Sequence, residues 1–227
     1  MKLLVSAILL SLFLPLFAPS ASAAEFSPLQ IGIIGDDGLQ LVDSHIPVVG
    51  LRLNLPISMN DTVAGLDAGL MSYATAFSGI RLNLQSWTEK TVRGLDVSLI
   101  SMGTDDTEVD GIQIAGLGVA SKMRGLQAGI VSYAAILYGL QIGLWSNAGD
   151  LCGIQIGLAN FADSPQGSIQ LGVFNSSAPI FEREGIVHGL QIGIVNLAGT
   201  LHGLQIGLLN IATDSDYPYL PFIRASF

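Results

Sequence analysis

Cysteine, basic residues and long apolar runs are all scarce in this chain. Cys152 is the one cysteine among 227 residues, which excludes an internal disulfide. Nine Lys or Arg residues stand against 18 Asp or Glu residues, which excludes nucleic-acid binding because that needs clustered basic side chains. After the N-terminal segment, no uninterrupted apolar run reaches the roughly 18 residues of a membrane helix. The 27 glycines disfavour long helices of any kind.

The N-terminus has the pattern of a secretory signal peptide. Lys2 precedes an apolar stretch over 3–17, and the small residues of 21–23 fit a cleavage site. We expect residues 1–23 to be removed and the chain to be exported to the periplasm, the outer membrane or the cell surface. The mature chain then carries 8 basic and 18 acidic residues, a net charge of −10, which disfavours binding to anionic lipid headgroups.

A short unit repeats along most of the chain, most clearly as "HGLQIGIVN" (188–196) and "HGLQIGLLN" (202–210). Its first position, usually glycine, falls at Gly50, Gly65, Gly79, Gly94, Gly111, Gly125, Gly139, Gly153, Ser168, Gly189 and Gly203. Most steps are 14 or 15 residues, with one of 17 and one of 21. Positions two, four and six are apolar, an alternation that predicts a strand with these positions buried and position three outside.

This period predicts an all-β fold, a parallel β-solenoid of about 11–13 coils of 14–15 residues. Residues 24–49 are interpreted as degenerate repeats or a cap, 50–212 as the repeat domain and 213–227 as a C-terminal cap. The alternative is an up-and-down antiparallel outer-membrane β-barrel, favoured by the terminal Phe227 and disfavoured by Pro218 and Pro221. Membrane association is expected only for the barrel.

Two columns of side chains support in-register stacking of the coils. Position three runs Arg52, Asp67, Arg81, Asp96, Gln113, Gln127, Gln141, Gln155, Gln170, Gln191 and Gln205. Charges that alternate in sign attract between neighbouring strands, so we expect an exposed stack with Arg81 between Asp67 and Asp96, continued by a glutamine ladder. The residue before the opening glycine alternates similarly, as Arg93, Asp110 and Arg124.

The units "GLQIGLWSNA", "GIQIGLANFA", "GLQIGIVNLA" and "GLQIGLLNIA" resemble a bacterial surface-repeat family found in leptospiral and Bacteroides-type proteins. The resemblance is close over 111–212 and loose over 50–110, where Arg or Asp replaces Gln and Ser replaces Asn. It implies a surface or envelope location and no catalytic residues.

Three groups of residues are candidate sites. His188 and His202 share a repeat position, so their rings are expected to stack about 5 Å apart, with fewer ligands than a zinc site needs. The acidic cluster is a weak calcium candidate without EF-hand spacing and consists of Asp105, Asp106, Glu108 and Asp110. The insertion in the 21-residue unit supplies candidate partner contacts, which are Phe181, Glu182 and Arg183.

No nucleophile-elbow, P-loop or zinc-protease motif occurs in the sequence, so we expect neither catalysis nor a cofactor. The sequence predicts an exported envelope or surface repeat protein with a structural or adhesive role, its partner a protein or glycan of the cell envelope. A carbohydrate-binding or carbohydrate-active solenoid is the remote alternative.

Overall fold

The protein is an all-β solenoid, as the repeat predicts. The computed structural model describes residues 26–33, 39–177 and 186–227; the predicted signal peptide lies outside them. The strands are β1 (Ser27–Gly32), β2 (Val48–Gly103), β3 (Glu108–Ser176), β4 (Ile186–Ile192), β5 (Val195–Ala198), β6 (Thr200–Ala212) and β7 (Tyr219–Ser226). β2 and β3 are long because each winds continuously through several coils.

Successive coils pair in parallel and in register. Gly94 lies opposite Gly111, and Gly189 lies opposite Gly203, so equivalent repeat positions are neighbours. We call the residues that follow each opening position a row, and the eleven rows make up about 10 turns of the solenoid. This stacking excludes the antiparallel barrel alternative. In the described part of the chain, no helix has the length and hydropathy of a membrane span.

The backbone at one corner of each coil requires the opening glycine, except in the coil that opens with Ser168. Gly139 has a φ of 138°, and a Cβ built on it would lie 2.2 Å from the carbonyl oxygen of Gly125 in the preceding coil. Residues that carry a Cβ rarely adopt that φ, and no Cβ can lie so close to a carbonyl oxygen. The fourteen-residue period is therefore set by the corner at which one coil passes over the last.

The sequence prediction of which positions are buried is wrong. At position three, Gln155 is fully buried, whereas the neighbouring Ile156 at position four is 38% exposed. The whole position-three column, from Arg52 to Gln205, lies inside the solenoid. Leucines and isoleucines of positions two, four and six point outwards.

Apolar packing occupies only the other half of the interior, at positions ten and thirteen. Ala148 and Leu151 represent these positions in one coil, and both are fully buried. The larger of two apolar clusters consists of Val63, Ala74, Phe77, Val92, Val109, Ala120, Met123, Ala134, Leu137, Ala148, Leu151 and Ala162. The core is thus divided lengthwise into a polar half and an apolar half.

Antiparallel segments cover both ends of the stack. At the N-terminal end, the amide of Gln30 exchanges two hydrogen bonds with the backbone of Val42, at 3.0 and 3.1 Å. At the C-terminal end, β7 pairs antiparallel with β6. Pro221 lies within β7, so this proline does not prevent the segment from pairing with β6.

Candidate functional site

A continuous glutamine ladder fills the polar half of the core. It consists of Gln113, Gln127, Gln141, Gln155, Gln170, Gln191 and Gln205. Each Nε2 from Gln127 onwards donates to the Oε1 of the glutamine one coil earlier, at 2.7–2.8 Å. In Gln155 the same nitrogen also donates to the carbonyl oxygen of Phe161, at 3.0 Å. The ladder amides are therefore paired except at the Oε1 of Gln205, and this pairing removes most of the cost of burying them.

Two buried ion pairs occupy position three before the ladder begins. Arg52 binds the carboxylate of Asp67 through two hydrogen bonds of 3.1 and 2.7 Å, and Arg81 binds Asp96 with the same distances. The charge column is therefore in the core, and the prediction of an exposed stack is wrong. Arg81 pairs with Asp96, and Asp67 already has both of its oxygens bound by Arg52.

The carboxylate of Asp67 is held in its charged form by its neighbours. Burial alone would raise its pKa, but Arg52, Ser72 and Asn54 bind the charged form, and the net effect lowers the pKa of Asp67. Ser72 donates a hydrogen bond of 2.6 Å to it. The pair joins two neighbouring coils inside the molecule.

A second ladder, of asparagines, runs along position eight. Its members are Asn160, Asn175, Asn196 and Asn210, linked Nδ2 to Oδ1 at 2.8 Å. These amides donate towards the C-terminus, whereas the glutamines donate towards the N-terminus. The glycine at position five makes room for them, since a Cβ on Gly193 would lie 2.6 Å from the Nδ2 of Asn175.

The outside of this polar half is an apolar face, defined here as repeat positions two, four and six of the eleven rows. Every residue at these positions is apolar or glycine. Position six carries exposed aliphatic side chains in all rows except that of Gly116, namely Leu55, Leu70, Leu84, Leu99, Ile130, Leu144, Leu158, Val173, Ile194 and Leu208. The face presents on the order of 10³ Å² of apolar surface, above the 300–600 Å² of the largest patch on a typical soluble monomer.

The end strands continue the same face. In β1, Leu29 and Ile31 lie opposite Leu51 and Leu53. In β7, which runs in the opposite direction, Ile223 lies opposite Ile206 and is exposed, while Arg224 lies opposite Gln205 and is buried. Reversal of the chain therefore keeps aliphatic groups outside and a polar group inside.

Charged residues are confined to the opposite side of each coil. Within 50–212, every charged residue lies either at the buried position three or after position ten. We name the outward residues after position ten the charged rim. Asp150 in the middle of the chain is one of its exposed members. The solenoid is therefore amphipathic across its width and along its whole length.

Aromatic residues lie where the apolar face meets the charged rim. On one border, Trp145 stacks on Phe161 with ring centroids 4.5 Å apart, and Trp145 is 44% exposed. Tyr73 on that border donates its hydroxyl hydrogen bond to Glu89 of the rim, which raises the pKa of Tyr73 to about 12. On the other border Tyr138 is 46% exposed.

The two histidines that were predicted to stack are neighbours on the surface. The rings of His188 and His202 stack with centroids 5.0 Å apart and an interplanar angle of 11°. Both are exposed and point away from the core. Among the described residues, no group of three or more His, Cys, Asp or Glu side chains is placed to hold a metal ion.

The acidic cluster is divided by the fold. Asp105 and Asp106 are exposed in the turn between β2 and β3, whereas Glu108 and Asp110 pair with a basic side chain of the charged rim. Arg124 binds Glu108 at 3.1 Å and Asp110 at 3.0 Å, and its hydrogen bond lowers the pKa of Glu108. The predicted pairing of Asp110 with Arg124 is thus present. The predicted contact residues Phe181, Glu182 and Arg183 lie outside the described residues.

The apolar face was not predicted, because the alternation of the repeat indicates a buried location for those side chains. The signal that distinguishes the two assignments is the second apolar set, at positions ten and thirteen. A coil of 14 residues is too narrow to enclose both sets. No family model matches this chain, and comparisons with curated proteins and with solved structures likewise found no match.

Proposed function

We propose that this chain is an exported protein of the bacterial cell envelope with a structural or interaction role, and that the apolar face is its working surface. The observation that carries the proposal is that leucines and isoleucines fill three outward columns while glutamine, asparagine and paired charges fill the core. Water would favour the reverse arrangement, so the face is built to be covered. The signal-peptide pattern and the resemblance to bacterial surface repeats support the envelope location.

The proposal is tested by fractionating cells that produce the full chain. Ile142 and Leu144 are exposed on the apolar face, and Asp150 and Cys152 are exposed on the opposite side of the same coil. We expect the native protein in the envelope fraction and the variant Ile142→Gln with Leu144→Gln increasingly in the soluble fraction.

The matched control, Asp150→Gln with Cys152→Gln, places two glutamines on the rim of the same coil and should stay in the envelope fraction. Native protein that is wholly soluble after export, or a face variant that is retained like the control, would refute the role of the face.

A further inference from the structure

We infer that the apolar face is covered by the hydrocarbon of a lipid layer, with the solenoid lying along the membrane surface and the charged rim in water. This inference rests on the proposed function, since it names the partner of the same face. Three features of the face argue for hydrocarbon over a protein partner: its lack of polar groups, the internal pairing of its backbone, and the residues at its borders.

The face offers no side chain that can donate or accept a hydrogen bond, since its three positions are apolar or glycine in every row. Interfaces between proteins carry about one hydrogen bond per 100–200 Å². A face on the order of 10³ Å² that bound a protein would therefore be expected to present several polar groups that fix the register of its partner. Hydrocarbon requires none.

The strands beneath the face bond to one another from coil to coil. The register runs without interruption from Gly94 and Gly111 through Val97 and Ile114, so this backbone is engaged within the sheet. In lipid, unpaired backbone groups are costly, and only structures that satisfy them internally are tolerated. Most amide groups of the ladders behind the face are also paired with one another, and the exceptions include Oδ1 of Asn160 and Oε1 of Gln205 at the ladder ends.

The borders have the composition of a membrane–water boundary. Trp145 and Tyr138 are exposed on opposite borders, and the hydroxyl of Tyr73 is directed to Glu89 on the rim. Tryptophan and tyrosine favour this boundary because their rings are apolar and one end is polar. Beyond the borders, the described rim carries charges of both signs, as in the group formed by Glu108, Lys122 and Arg124.

The length of the rim decides how the molecule lies. Charged residues occur on it from Asp61 to Asp163, so no long segment of the axis is free of charge on all sides. A solenoid that crossed the bilayer would place these charges in hydrocarbon. Rows spaced by about 4.8 Å make the face about 50 Å long, a surface that lies in the plane of the membrane.

This orientation changes one expectation from the sequence. Membrane association was tied to the barrel because the repeat leucines were assigned to a core. With those side chains outside, the solenoid itself has a lipid-compatible surface. Attraction between the apolar face and the bilayer does not depend on charge, so uncharged or zwitterionic lipid is sufficient and added salt should not release the protein.

The test uses the exported full chain and phosphatidylcholine vesicles in a flotation gradient. We expect the native protein to float with the vesicles in low and high salt, and the variant with glutamine at Ile142, Leu144, Ile156 and Leu158 to bind at least tenfold less. The rim variant Asp150→Gln with Cys152→Gln should bind as the native protein does. Vesicles with brominated acyl chains should quench the tryptophan fluorescence of the native protein, which arises from Trp87 and Trp145.

Circular dichroism and urea unfolding show whether the variants retain the fold, and fluorescence quenching of the unsubstituted chain tests the inference even if they do not. If the native chain stays off the vesicles and sediments as a dimer that the face variant dissociates, a second copy covers the face and the lipid inference is wrong. Envelope retention that depends on the face without vesicle binding refutes the lipid inference but leaves the proposed function standing. Retention that is independent of the face refutes the proposed function itself.

Discussion

A glutamine side chain is an unusual choice for the centre of a protein, and here its stacking explains why it is stable. Gln155 accepts from Gln170 and donates to Gln141, both at 2.8 Å, so its amide is paired on both sides. An unpaired buried polar group costs about 1–3 kcal/mol, whereas a paired one makes a small net contribution. The ladder therefore depends on every member, because loss of one leaves the Oε1 of one neighbour and the Nε2 of the other without that partner.

Substitution of Gln155 should consequently destabilise the protein more than substitution of its neighbour Ile156. Gln155→Ala removes three hydrogen bonds and should lower the free energy of unfolding by about 3–6 kcal/mol. Ile156→Ala shortens a side chain that is already partly in solvent and should cost about 1 kcal/mol. Urea unfolding of the two variants in the same buffer measures the difference, and a larger loss for Ile156→Ala would invert the inside and outside of the coil.

At the scale of the elements, periodicity predicts the strands and their stacking but leaves their facing open. The opening glycines mark each corner, and the pairing of Gly94 with Gly111 confirms the predicted register. The two-residue period implies that positions three and four face opposite sides of the strand. The usual preference for burying apolar groups away from water then selects the wrong side as the interior. The deciding facts are three-dimensional: the width of a coil, and the ability of stacked amides to pair with one another.

The candidate sites likewise divide into features that the sequence predicts and features that depend on the three-dimensional structure. The stacking of His188 on His202 was predictable because equivalent positions in adjacent rows are neighbours. The separation of Asp105 from Asp110 was not, because it depends on where the inserted turn leaves the coil and on the position of Arg124. The residues of the apolar face are evident in the sequence as the apolar repeat positions, but they were assigned to the interior.

The ion pair between Arg52 and Asp67, which joins two N-terminal coils, should make the stack sensitive to acid. The pKa of Asp67 is lowered in the folded protein, so its stabilising effect is complete above its ordinary value of 3.8 and is lost as the pH falls through the folded value. Asp67→Asn leaves Arg52 buried without its partner and should cost about 3–5 kcal/mol at neutral pH. Its further loss of stability on acidification should be smaller than that of the native protein.

Urea unfolding at several values between pH 7 and about pH 3 tests this, because the ordinary pKa of an aspartate lies in that range. Asp150→Asn, on the exposed rim, is the matched control and should follow the native curve. Equal acid sensitivity in native protein and Asp67→Asn would mean that the buried pair does not govern the response.

In its distribution of polar and apolar groups, the whole molecule resembles a protein that faces a membrane more than one that is surrounded by water. Its polar ladders lie under the apolar face, and its apolar core lies under the charged rim. A polar residue lies at each end of the polar column: Gln30 bonds to the backbone of Val42, and Arg224 lies opposite Gln205, where a further glutamine would follow. The guanidinium of Arg224 donates to the carbonyl oxygen of Tyr217, and neither its Nε nor the Oε1 of Gln205 has a hydrogen-bond partner.

Removal of residues 213–227 should therefore open the last coil. β7 pairs with β6 over Gly203–Gly207, and its loss would expose both a strand edge and the end of the glutamine ladder. An open edge accepts another strand, so we expect the shortened chain to associate end to end into particles that grow with concentration. Detergent that covers the apolar face separates this association from contacts between faces, and sedimentation velocity in detergent measures it.

The aromatic side chains of this segment are not what closes the end, since Tyr219, Phe222 and Phe227 are exposed. A full-length variant with Phe222→Ser and Phe227→Ser should keep β7 and stay monomeric in detergent, whereas the truncated chain should not. A truncated chain that remains monomeric, with an unchanged melting temperature, would show that the last coil does not need β7. Association of the serine variant as strong as that of the truncated chain would instead assign the closing role to the aromatic rings.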